Sequence, residues 1–205
     1  AQAPWTGRYV AMPTGGWLTI AASDVGYGPD LPTPRPMTRA DMAAVTAETV
    51  AAAERAARAG FDLLELQFGH GFLFASFLSP LTNRRTDECG GTIENRLRFP
   101  LEVLDAVRVV WPQDRPISVR ISASDWAAGG LSEEDSLAIA TALTEHGVDL
   151  IDVSTGETLA ASRPEYGRSY QTPFSDRIRN ITGAATIAVG SISSWDDANT
   201  IIAAG

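Results

Sequence analysis

The sequence predicts an α/β fold in which about four parallel strands, each followed by a helix, form part of a barrel. Two observations carry this expectation. Strand-like runs alternate with helical patterns at the spacing of βα units, which indicates a parallel sheet. Within each strand, one parity is apolar and the other is polar or small. Leu64 and Leu66 oppose Glu65 and Gln67; Ile117, Val119 and Ile121 oppose Ser118, Arg120 and Ser122. Ile151 and Val153 oppose Asp152 and Ser154; Ile187 and Val189 oppose Ala188 and Gly190. An open doubly wound sheet, covered by helices on both faces, would be apolar on both parities. A barrel packs its helices outside and can turn polar groups inward toward a ligand at its C-terminal mouth.

The elements follow in order. Residues 1–36 are rich in Gly, Pro and Thr without a sustained period, and read as an extended arm, with a short extended piece at Trp17–Ala22. The barrel domain is expected over residues 37–205. Thr38 and Asp41 make a capping-box-like pair, an alanine-rich helix runs to Arg58, and Gly60 ends it. Phe61–Gln67 is the first strand. A long loop carries Ser79–Gly91, and Thr92 caps a helix to about Val110, with a kink or late start expected at Pro100. Ile117–Ser122 is the second strand. Ser132 and Asp135 open a helix that Gly147 closes, and Asp149–Ser154 is the third strand. A loop with Tyr166 and Tyr170 leads to Pro173 at a helix start. Thr186–Gly190 is the fourth strand, and a last helix begins at Ser194.

Composition removes several classes of function. With 44% hydrophobic and 20% charged residues among 205, the chain can bury a sizeable core. A net charge of −9 argues against a nucleic-acid or anionic-membrane binder. No apolar run reaches the roughly 20 residues of a membrane span. No basic region with an apolar stretch marks a signal peptide, so a cytoplasmic protein is expected. One cysteine, Cys89, and two histidines, His70 and His146, leave no metal site of the thiolate-rich or histidine-rich kind. All 16 basic residues are arginine, which excludes side-chain Schiff-base chemistry.

The segment Phe61–Arg96, FDLLELQFGHGFLFASFLSPLTNRRTDECGGTIENR, puts an apolar strand before a polar cluster, a loop with paired arginines and paired glycines, and a helix start. It closely resembles the middle of the old yellow enzyme family, FMN-dependent NAD(P)H oxidoreductases built on a (β/α)8 TIM barrel. The resemblance covers roughly residues 17–205 and the family's fourth to seventh strands. It therefore implies a piece of a longer polypeptide, or else a half-barrel completed by pairing with another chain. A homo-oligomer is one form this would take.

The resemblance also implies roles. Arg120 would contact the N1/O2 edge of the flavin and stabilise negative charge on the reduced ring; an ion pair with Glu65 or Asp152 is the structural alternative. His70 and Gln67 occupy the pair of positions that donate hydrogen bonds to the acceptor's oxygen. Gln67 stands where a histidine is usual, and its amide cannot carry positive charge. Phe72 stands where the family's tyrosine donates a proton, leaving water, Tyr166 or Tyr170 for that step. Gly190 and Ser191 follow the fourth strand, where backbone N–H groups would hold the FMN phosphate; the partner Gly-Arg pair of the family's last strand is not in this chain. Flavin affinity and activity of the chain alone are therefore expected to be poor.

Arg84, Arg85 and Arg96 read as loop-fixing residues that pair with Asp87 and Glu94, with phosphate recognition as the rival. His146 reads as a helix-end contact. Several stretches narrow the resemblance to the reductase-type barrel of salicylyl-CoA and aminobenzoyl-CoA hydroxylases. They are Pro36–Met42, Val119–Ala123, Tyr166–Arg168 and Tyr170–Phe174. That implies an enone-like or aryl-CoA thioester acceptor and a place in aromatic degradation. Two other functions compete: a non-catalytic barrel acting as scaffold, and a flavin-free barrel enzyme acting on a phosphorylated metabolite.

Overall fold

The computed structural model describes residues 16–29 and 31–204; the first part of the predicted arm, residues 1–15, lies outside the described residues. Four parallel strands form one sheet in sequential order: β3 (Leu64–Phe68), β4 (Ile117–Ser122), β5 (Leu150–Ser154) and β6 (Thr186–Ala188). Ahead of them, β1 (Ile20–Ala21) and β2 (Arg35–Pro36) pair in parallel, so the predicted arm is pinned by backbone bonds rather than irregular throughout. The helices are α1 (Arg39–Ala59), α2 (Leu73–Leu78), α3 (Ile93–Val110), α4 (Glu133–Glu145), α5 (Thr172–Thr182) and α6 (Trp195–Ala204). Among the described residues, no helix is long and apolar enough to cross a membrane.

Two helix starts follow the predicted caps, whereas Thr92 precedes α3 without a side-chain cap bond. Thr38 with Asp41, and Ser132 with Asp135, form reciprocal capping boxes. Gly60 closes α1 in the left-handed region, and the Phe61 N–H donates to the Ala56 carbonyl. Phe61 thus belongs to the helix terminus, which is why β3 begins at Leu64 and not at the predicted Phe61. α3 runs unbroken through Pro100, so the helix does not start late. The sequence reading missed α2, whose six residues, LFASFL, are apolar but for Ser76 and too short to show a period.

The helix-facing parity of the sheet makes the core. Leu66, Val119, Ile121, Ile151 and Val153 are all buried, packed with Phe99, Val103, Leu104 and Val107 of α3 and Ile139 and Leu143 of α4. An aromatic chain, Phe68–Phe74–Phe99–Phe77, links β3, α2 and α3 at centroid spacings of 4.8, 5.8 and 4.8 Å.

One strand departs from its predicted parity. Register pairs Asp152 with Ile187 and Val153 with Ala188, so Ile187, not Ala188, shares the polar face. Thr186 points the other way, where its hydroxyl meets Ser175 of α5 at 2.9 Å. The short side chains of Thr186 and Ala188 face that helix and leave the branched Ile187 on the opposite face.

The long loop is fixed as its composition suggests. Arg85 pairs with Asp87 and donates to the Ala22 and Met37 carbonyls at 3.0 and 2.8 Å. Arg96 reaches Asp135 of α4 at 2.7 Å rather than the predicted Glu94. Arg84 contributes its backbone N–H to Ser23. His146 caps α4 and meets Asp105 of α3 at 2.7 Å.

Candidate functional site

Parallel register brings Gln67, Arg120 and Asp152 into one row across β3, β4 and β5. Arg120 Nε lies 3.5 Å from Asp152 Oδ2, an ion pair too long and misaligned for a hydrogen bond. As a result, Arg120 Nε and Asp152 Oδ1 are both buried without a hydrogen-bond partner. Glu65, the other predicted partner of Arg120, instead accepts from Ser118 at 2.9 Å. Burial pushes the Asp152 carboxyl up from its ordinary range; Arg120 pulls it down, and Glu65 raises it again. A cation and an anion with unused capacity on the same open face form a polar platform, and a buried unpaired group is costly unless something completes it.

His70 begins the turn after β3. It sits in the left-handed region, and Gly71 follows in the same region. A Cβ at position 71 would lie 2.3 Å from the Glu157 carbonyl oxygen, so only glycine fits there. This close approach sets His70 against the ends of β4 and β5. Its backbone N–H donates to Ser122 Oγ at 2.9 Å, and its Nε2 lies 2.6 Å from Ser154 Oγ. Burial and the charge of Arg120 hold the imidazole below its ordinary 6.5, with Glu157 opposing. Gln67 accepts from the Gly69 N–H through Oε1 at 2.8 Å. That leaves its amide N–H pair as the donating end.

Phe72, exposed and next to this turn, borders a cavity of about 490 Å³ that Ile20, Tyr27, Leu31, Gly71 and Leu73 also line. Tyr27 is the functional candidate that sequence reasoning missed. It belongs to the predicted arm, and nothing local links it to Phe72. Its hydroxyl lies 3.5 Å from Glu157 Oε2, and burial followed by Glu157 raises its pKa. Tyr166 and Tyr170, the proposed substitutes for a proton donor, stack edge-on with each other at 5.3 Å. Ser154 and Gln171 also escaped the sequence reading, since uncharged polar residues carry no motif by themselves.

Gly190 and Ser191 follow β6 with φ of 95° and 54°. They do not open α6 directly. Ser194 and Asp197 cap that helix, and Asp197 already accepts from the Ser193 and Ser194 amides at 3.1 Å. An anion at this turn would therefore meet the Gly190 and Ser191 amides and not a free helix start.

Comparison with known proteins identifies the family of the chain. The model of the NADH:flavin oxidoreductase / NADH oxidase family matches residues 21–205. An NADPH dehydrogenase of Geobacillus thermodenitrificans (strain NG80-2) is 45% identical over 183 residues, 89% of this chain and 53% of that protein. The chain spans about half the length of the curated relatives it matches. Among solved structures, morphinone reductase superposes with a TM-score of 0.68 at 27% identity, covering 93% of this chain and 53% of its own. A 2-naphthoyl-CoA reductase complex gives 0.83 at 24% identity, covering 92% and 29%, a likeness of fold.

Proposed function

Because the chain belongs to the NADH:flavin oxidoreductase / NADH oxidase family, we propose that it supplies the flavin-tuning and acceptor-binding part of an FMN-dependent NAD(P)H oxidoreductase. The observation that carries this reading is Arg120, a strand guanidinium on the open polar face with a buried, unpartnered Nε. Such an atom suits a polar ring edge that accepts hydrogen bonds. FMN, when bound, supplies hydride transfer between NAD(P)H and the acceptor. Arg120 holds a fixed positive charge against that edge, and Asp152 keeps the guanidinium in line. The Gly190 and Ser191 amides offer the phosphate a backbone cradle.

At the acceptor end, the free amide of Gln67 and the imidazole of His70 orient the acceptor's oxygen. The cavity lined by Phe72, Tyr27 and Leu31 receives an apolar body. This favours an enone-like or aryl-CoA acceptor over a small polar one. Phe72 has no proton to give, so protonation falls to water or to a tyrosine hydroxyl, Tyr27 being the tyrosine that lines this cavity among the described residues.

An FMN titration followed by absorbance and fluorescence tests the reading. It compares the chain alone with a version completed by the barrel segments that its NADPH dehydrogenase relatives carry beyond the matched half. Binding by the completed version supports a flavoenzyme, and reoxidation of its NADPH-reduced form by an aryl-CoA thioester or a cyclic enone then assigns the acceptor. If neither form binds FMN, the oxidoreductase reading fails and a scaffold role replaces it.

A further inference from the structure

His70 sits at the end of a short chain of buried hydroxyl and amide groups. Its Nε2 lies 2.6 Å from Ser154 Oγ, which lies 3.2 Å from Gln171 Oε1. Thr155 Oγ1 donates to that same Gln171 oxygen at 2.7 Å. Ser154, Thr155 and Gln171 are all buried. The Gly190 backbone packs so close to this amide that a Cβ there would lie 2.3 Å from Gln171 Nε2. The turn after β6 thus backs the glutamine side chain.

Proton counting gives the chain a direction. A carbonyl oxygen only accepts, and a serine hydroxyl has one proton to give. Ser154 spends that proton on Gln171, so its oxygen is left to accept from the imidazole. We propose that Ser154 and Gln171 fix neutral His70 as the Nε2–H tautomer, with its Nδ1 lone pair free. Both are positioning residues; neither needs to touch a ligand. Their effect is a choice of ligand chemistry, and it rests on the proposed role of His70 as the acceptor's oxygen anchor. Neutral His70 then accepts a hydrogen bond at Nδ1, which suits a ligand hydroxyl such as a neutral phenol. A carbonyl or phenolate oxygen is then held by the Gln67 amide, and finds a second donor at Nδ1 only once the ring is protonated. Burial and then Arg120 oppose that protonation, and Glu157 favours it.

Long-range 1H–15N correlation spectra of the imidazoles in the 15N-labelled chain test the tautomer without flavin. The chain has just two histidines, and a His146→Asn variant assigns their signals. Above the titration of His70, its spectrum is expected to show the Nε2–H pattern alone. Ser154→Ala and Gln171→Leu, kept folded, are expected to lose that single pattern for a mixture of both tautomers. An Nδ1–H pattern or an even mixture in the unaltered chain overturns the proposal. So does an unchanged Nε2–H pattern in folded Ser154→Ala. Failure of FMN binding would sink the oxidoreductase reading and leave this result standing, so the two ideas fail separately.

Discussion

The two faces of the four-stranded sheet are built by opposite rules. Toward the helices, Leu66, Val119, Ile121, Ile151 and Val153 are buried in a continuous apolar core. On the other face, Gln67, Arg120 and Asp152 line up with unpartnered polar atoms. Alternation along a strand puts both sets within one residue of each other. Ile121 and Arg120 are chain neighbours with unrelated jobs: one face supplies stability, and the other spends some of it on incompletely satisfied polar groups.

The largest expected effect breaks that comparison from the core side. Ile121→Ala should cost about 3 kcal/mol of unfolding free energy, the usual loss for a fully buried isoleucine. Gln67→Ala, on the half-buried polar face, should cost less than about 1 kcal/mol, mainly its bond to the Gly69 amide. Urea denaturation of both variants reads the difference. Equal losses would mean that the polar face also carries the fold.

A smaller effect sharpens the comparison on the polar face itself. Arg120→Met should lose about 2 kcal/mol, because the buried Asp152 carboxylate loses its partner while the half-buried Arg120 was only partly desolvated. Adding Asp152→Leu should restore most of that loss, since apolar replacement of both partners of a buried pair is often neutral or stabilising. FMN binding by a barrel-completed version should be lost in both variants. A double-mutant cycle on denaturation midpoints gives the coupling. If the second change simply adds to the first loss, the two side chains are not coupled, and the cost of Arg120→Met does not come from an unpaired Asp152.

Much of this was legible in the sequence, and the reasons for the misses are physical. Caps were readable because they are local: Thr38 with Asp41 and Ser132 with Asp135 act over three residues. The arginine on β4 was readable because a charge in mid-strand is expensive. The parity of β6 was not, since Ile187 and Ala188 are decided by what α5 leaves room for and not by polarity. Nor was the Ser154–Gln171 chain, whose members become a unit only when β5, α5 and the Gly190 turn meet. Tyr27 comes to line the same cavity as Phe72 although nothing in the sequence links them, because β1 pairs with β2.

The smallest effect concerns proton binding on the polar face. His70 has a folded-state pKa below its ordinary 6.5, caused first by burial and then by Arg120. The unfolded chain therefore binds this proton more readily than the folded one. The contribution of His70 is fully present above about pH 6.5 and is lost as pH falls from there toward the folded value. Asp152 runs the other way, since its raised pKa favours the folded state as acid protonates it, and the difference between two proteins isolates His70. His70→Asn suits the comparison, because asparagine tolerates the left-handed backbone at this position. Stability measured from pH 7.5 to 5 should fall more steeply in the unaltered chain than in His70→Asn. Parallel curves would show that the imidazole is as free to take a proton in the folded chain as in the unfolded one. The polar face would then be as wet as bulk solvent at this point, unlike the dry core one residue layer away.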